Sequence, residues 1–179
     1  MKTYVALLRA INIGARNKIP MSGLKALFSD LGHEDVATYV QSGNVVLTSG
    51  DSVAKVARAL ERLIRKEFGP EIPVVVRTRT QLAKVVERNP LGKVAKNPKR
   101  YQVSFLEKKP SAAVMRKLEQ VAAPSERVVA HGREIYAWHP EGVARSKLWA
   151  ALAGKGLGVT ATARNWTTVT KLLELADAG

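Results

Sequence analysis

The apolar positions along this chain switch between a period of two and a helical period, and the switches mark out its elements. Residues 4–10 form a β-like apolar run, followed by the polar loop Asn12-Ile13-Gly14-Ala15-Arg16-Asn17-Lys18 and then Pro20. Met21, Leu24, Leu27, Phe28 and Leu31 recur at helical spacing, and Gly32 supplies a stop after the last of them. Residues 36–40 and 45–48 read as two strands joined by Gln41-Ser42-Gly43-Asn44, a hairpin in which Gly or Asn takes positive φ. A second helix, capped by Asp51 or Ser52, carries the stripe Val53, Val56, Leu60, Leu63, Ile64 and Phe68, with Lys55, Arg58, Arg62, Arg65 and Lys66 on its other faces. Residues 72–77 close the series as a strand. The order is β-α-β-β-α-β, the split βαβ or ferredoxin-like arrangement.

The second half repeats that order without repeating its residues. A short helix at 81–87 and a Pro/Gly/Lys-rich connection at 89–99 lead to a strand at 101–106 and a helix at 111–121. Strands at 127–130 and 134–138 form a hairpin about His131-Gly132-Arg133, a helix spans 145–152, and a strand at 159–162 closes the unit. A final helix at 165–176, with Trp166, Val169, Leu172, Leu173 and Ala176 for packing, lies outside the repeat. The expected fold is therefore α+β: two ferredoxin-like halves, each an antiparallel sheet covered by helices, plus a C-terminal helix. The expected division is 1–92 for the first subdomain and 93–179 for the second.

At 179 residues and 46% hydrophobic, the chain has enough apolar surface for a buried core in each half. Cysteine is absent, which excludes disulfides, thiolate nucleophiles and Cys-ligated metal sites and fits a reducing cytoplasm. The N-terminus lacks a signal-peptide layout and no apolar run approaches a membrane span, so a cytoplasmic protein without a membrane partner is expected. His33, His131 and His139 are dispersed without metal-ligand spacing, and the acidic residues form no pair suited to acid–base work, so no metal or cofactor is expected. No motif addresses oligomeric state.

Charge changes this picture most. Lys and Arg number 29 against 15 Asp and Glu, a formal charge of +14 carried by ordered-looking elements and not by a tail. That balance points to an anionic partner, though a solvated basic surface would look the same. Eight cations against the single acid Glu107 give residues 93–117 a charge of +7, and Tyr101 and Phe105 among them suggest a sheet able to stack bases. Tyr101, Val103 and Phe105 also alternate as core-facing residues do.

Three places combine cations with small polar residues. Arg9, Asn12, Arg16, Asn17 and Lys18 cluster around the loop before the first helix, which lacks the P-loop and dinucleotide spacings and also reads as a plain polar crossover. Arg145 and Lys147 flank Ser146 where a helix begins after Gly142. Arg164 and Asn165 precede a helix crowded with Thr167, Thr168, Thr170 and Lys171, where Thr162 or Asn165 serves as cap. Gln41-Ser42-Gly43 lacks the nucleophile-elbow pattern and is explained as a turn.

Three separated stretches carry a resemblance: Leu7-Leu8-Arg9-Ala10-Ile11-Asn12-Ile13-Gly14 with Asn17-Lys18-Ile19-Pro20-Met21, then Thr38-Tyr39-Val40-Gln41-Ser42-Gly43-Asn44-Val45-Val46, and Ala161-Thr162-Ala163-Arg164-Asn165-Trp166-Thr167-Thr168-Val169-Thr170-Lys171-Leu172. Together with Gly142-Val143-Ala144-Arg145-Ser146-Lys147-Leu148 they resemble the DUF1697 family of bacterial proteins of unknown function. The resemblance implies an α+β fold of ferredoxin-like character and no established activity. Ala10, and Ala15 likewise, stand where the resemblance leads one to expect Gly.

The expected function is anion binding, to nucleic acid or a nucleotide-like phosphate, through a basic cleft. Arg9, Asn12, Arg16, Asn17 and Lys18 would form one wall; Arg145, Lys147, Arg164, Asn165, Thr168 and Lys171 would form the other. The alternatives are a metal-independent enzyme for a small phosphorylated or carboxylated substrate, for which a general base is missing, and a protein-interaction or structural module.

Overall fold

In a computed structural model that describes residues 1–10 and 17–179, the elements follow the expected order twice. The first series is β1 (Lys2–Leu8), α1 (Met21–Asp30), β2 (Glu34–Tyr39), β3 (Asn44–Ser49), α2 (Val53–Phe68), β4 (Val74–Thr78) and α3 (Arg79–Arg88). The second is β5 (Tyr101–Leu106), α4 (Ala112–Val121), β6 (Arg127–His131), β7 (Glu134–Trp138), α5 (Lys147–Ala153), a 3-10 turn at Lys155–Leu157, β8 (Ala161–Asn165) and α6 (Trp166–Ala178).

Local chemistry sets the helix ends. Ser52 Oγ accepts from the Lys55 N–H at the start of α2, and Gly69 ends that helix with φ 94°. Ser111 Oγ and Ser146 Oγ do the same for the Val114 and Trp149 N–H groups of α4 and α5. In α2 the buried residues Val56, Leu60 and Ile64 fall four apart, so one stripe meets the sheet while the basic residues stay outside.

Each sheet has four antiparallel strands, ordered β2-β3-β1-β4 in the first and β6-β7-β5-β8 in the second. Tyr4, Ala6 and Leu8 of β1, Val45 and Leu47 of β3, and Val74 and Val76 of β4 share one core with Leu24, Phe28, Val56, Leu60 and Ile64. In the second, Leu106, Ile135, Ala137 and Ala161 pack with Leu118, Leu148 and Leu152. Each fully buried aliphatic side chain of this kind contributes about 1.5–3 kcal/mol.

The repeat is longer than the sequence indicates. α6, expected outside it, has a counterpart in α3, because each follows the closing strand of its series without a linker. The equivalence extends to registers: Arg77 of β4 pairs with Val5, Arg164 of β8 pairs with Val103, and both arginines are buried. Two compact units result, Met1–Lys84 with Lys171–Gly179, and Val85–Thr170. The divisions between these units fall inside α3 and α6, and the last residues of α6 go with the first unit.

The hairpin expected at 41–44 forms, with Gly43 at φ 78°, but the other left-handed residue is Val40 at φ 50°. Asn44 does not turn the chain: it is buried at the start of β3, its Nδ2 donating to the Tyr39 carbonyl and to Ser42 Oγ, both at 2.9 Å. Among the described residues, no helix is long and apolar enough to cross a membrane.

Candidate anion-binding surface

Strand direction and register in the second unit decide which loops meet. Tyr101 opens β5 opposite Trp138, the last residue of β7, and Gln102 lies opposite Asn165, the last residue of β8. Arg127, the first residue of β6, also lies opposite Trp138. The connection 93–100, the loop 139–146 and the β8–α6 junction therefore gather at one end of this sheet. With them come Lys99, Arg100, Arg127, Arg145 and Lys147, all exposed. Lys108 and Lys109 follow the other end of β5.

Hydrogen bonds tie this end together. The His139 N–H donates to the Arg100 carbonyl at 3.0 Å, and Arg100 Nη1 donates to the Pro140 carbonyl. Trp166 N–H donates to the Pro98 carbonyl at 3.1 Å, and Gln102 Nε2 to that of Lys99 at 3.3 Å. Lys99 N–H reaches Asn97 Oδ1 at 3.0 Å. The basic connection is thereby fastened to β5, β7 and β8.

Beside it lies an open cleft of about 710 Å³, lined among others by Val121, Glu126, Glu141, Arg145, Ser146 and Lys147. At its edge Ser146 Oγ donates to Glu126 Oε1 and accepts from the Trp149 N–H at 3.0 Å. His139 Nδ1 lies 2.8 Å from the same Glu126 oxygen and 3.2 Å from Ser146 Oγ, and Ala123 N–H donates to Glu126 Oε2 at 2.9 Å. Burial alone would raise the Glu126 carboxyl pKa; the hydrogen bonds from Ser146, His139 and Ala123, with the histidine's charge, outweigh it and hold the group below its usual value. This is not a Ser–His–acid relay. In a relay the serine and the acid occupy opposite ring nitrogens, whereas here both crowd Nδ1 and the serine proton points to the carboxylate.

The sequence-predicted residues fare differently. Asn12 and Arg16 lie outside the described residues. Next to them, Ala10 (φ 53°) and Asn17 (φ 49°) are joined by Asn17 Nδ2 donating to the Ala10 carbonyl at 3.1 Å. Arg9 is half-buried and Lys18 exposed, and these belong with Asn17 and Lys171 to the first unit. Lys171 is exposed and pairs with Glu174 at 2.9 Å. Arg145 and Lys147 share the cleft of the second unit.

Arg164 sits inside β8, which extends to Asn165 instead of ending at 162. It is 7% exposed, and its Nη1 donates to Thr162 Oγ1 at 2.7 Å and to the Ala163 carbonyl at 2.8 Å. Burial pushes its pKa down to about 10. Asn165 is the cap, its Oδ1 accepting from the Thr168 N–H at 2.9 Å, and Thr168 is buried. Alternation along β8 puts Arg164 on the face shared with Thr162, opposite the face on which Ala161 joins the helix-covered core.

Tyr101 and Phe105, expected as a stacking sheet, are each 1% exposed and offer no open face. The sequence reading passed over Glu126 and weighed His139 only as a metal ligand; the two are 13 residues apart with no motif linking them. The one nearby signal was Ser146, read between two cations at a helix start, and the structure makes it the cap of α5. Among the described residues, no three His, Asp or Glu side chains are grouped to share a metal ion.

Among solved structures, the chain is similar to a conserved bacterial protein, SP0830 from Streptococcus pneumoniae, with a TM-score of 0.79 and 23% identity over 98% of both chains. At that identity the likeness concerns the fold. No curated protein matches the chain. The model of the family described as protein of unknown function (DUF1697) matches residues 1–136, and the chain therefore belongs to the DUF1697 family.

Proposed function

We propose that the second unit binds nucleic acid through its phosphate backbone, using the cations gathered at one end of its sheet. The observation that carries this reading is a contrast in pairing. On α2, Lys55, Arg65 and Lys66 lie 2.6, 2.8 and 3.9 Å from Asp51, Glu71 and Glu67, as on an ordinary solvated basic face. Lys93, Lys96, Lys99 and Arg100, in the connection at that end, are all exposed, and among the described residues none of them has a carboxylate partner. Unmatched cations held on a fastened backbone suit phosphate neutralisation with counterion release.

The cleft beside Arg145 and Lys147 supports a second reading, binding of one small phosphorylated or carboxylated anion. For an enzyme, Glu126 would not be a free base, since both its oxygens already accept hydrogen bonds.

Fluorescence anisotropy with labelled single-stranded and duplex DNA and RNA separates the two. Nucleic-acid binding predicts that Lys96→Ala/Lys99→Ala weakens binding several-fold more than Lys108→Ala/Lys109→Ala at the other end of β5. Equal losses from the two pairs, or complete competition by inorganic pyrophosphate at one equivalent per chain, would overturn it in favour of non-specific charge or the small anion.

A further inference from the structure

We infer that the nucleic acid is taken single-stranded, with a base stacked on the Trp166 ring beside the 96–100 connection. This rests on the nucleic-acid reading and adds to it a contact that phosphate attraction does not supply.

Trp166 is the first residue of α6, and its position is fixed from three sides. Its N–H donates to the Pro98 carbonyl at 3.1 Å, within the basic connection itself. Its neighbour Asn165 pairs in register with Gln102, whose Nε2 holds the Lys99 carbonyl. Its ring stacks on Tyr101, centroids 4.7 Å apart and planes 17° from parallel.

The two rings differ in exposure. Tyr101 is 1% exposed, and its hydroxyl accepts from the Leu91 N–H at 3.4 Å. Trp166 retains exposed surface. The indole is stacked on Tyr101, and the Trp166 backbone is bonded into the stretch that carries Lys96, Asn97, Lys99 and Arg100, all exposed, with no acid between residues 89 and 106.

An aromatic face beside cations is how single strands are held without sequence preference: the cations track phosphates and each base offers a π-face. In a duplex the bases cover one another and cannot reach the ring. The arrangement therefore predicts a preference between strand forms that charge alone would not give.

The test is anisotropy with fluorescein-labelled single-stranded RNA and the matching duplex, for wild type, Trp166→Phe and Trp166→Leu. Thermal melts verify that each variant folds. Trp166→Leu is expected to weaken single-strand binding about tenfold, as loss of one stacked base does, with Trp166→Phe between it and wild type. Duplex affinity and the salt dependence should hardly change. If a folded Trp166→Leu binds the single strand as tightly as wild type, the stacking inference falls while the phosphate reading stands. If wild type binds neither form, the nucleic-acid reading falls and takes this with it. Should Trp166→Leu not fold, wild type is titrated with 2-aminopurine-containing RNA: quenching on saturation supports stacking, and unchanged emission overturns it.

Discussion

Ala10 holds φ at 53°, a left-handed conformation in which a Cβ crowds the following carbonyl. That crowding costs about 1–2 kcal/mol, and glycine escapes it while losing part of the gain to the greater freedom of its unfolded chain. Ala10→Gly is therefore expected to stabilise the protein by about 0.5–1 kcal/mol, a rise in Tm of about 1–4 °C. Calorimetry checks this, and an unchanged or lower Tm would show that the site carries no strain. The position was legible beforehand, because the family resemblance leads one to expect glycine there. Arg164 was not legible: residues alternating Thr162, Arg164 with small neighbours look like a loop until their pairing with β5 makes them a strand. Alternation then puts Arg164 with Thr162 on the face of β8 opposite Ala161, and the local pattern does not carry its burial there.

At the scale of elements, the Glu126 carboxylate joins the entry to β6, the exit of β7 through His139 and the cap of α5 through Ser146. Glu126→Gln should cost about 1–3 kcal/mol at pH 7, since Ser146 and the buried His139 then face a poorer acceptor. The pH dependence has a definite sign. An acid whose folded pKa is depressed stabilises the fold above its unfolded pKa, near 4.5, and that stability is lost as pH falls through the folded value. Urea denaturation of wild type and Glu126→Gln should thus show a gap at pH 7 that narrows below about pH 4.5. A gap that stays constant with pH would mean that the carboxylate's charge is irrelevant. Element order could be read from hydrophobic period, and two helix caps could be narrowed to a pair each, of which Ser52 and Asn165 are the caps, because both signals are local. The equivalence of α3 and α6 and the Glu126 cluster could not, because each depends on registers between segments far apart in sequence.

For the whole molecule, a formal charge of +14 says that anions are attracted but not where they bind. Position comes from the antiparallel order β6-β7-β5-β8, which gathers three loops of the second unit at one end of its sheet. It also comes from pairing: Lys55, Arg65 and Lys66 of α2 lie against carboxylates, whereas Lys93, Lys96, Lys99 and Arg100 have none among the described residues. The most direct measurement is the slope of log K against log salt for a single-stranded oligonucleotide, wild type beside Lys96→Ala/Lys99→Ala. Each phosphate contact contributes about −0.7 to that slope, so loss of two contacts should make it shallower by about 1.4. A wild-type slope near zero, or one that the double substitution leaves unchanged, would contradict phosphate binding at this surface.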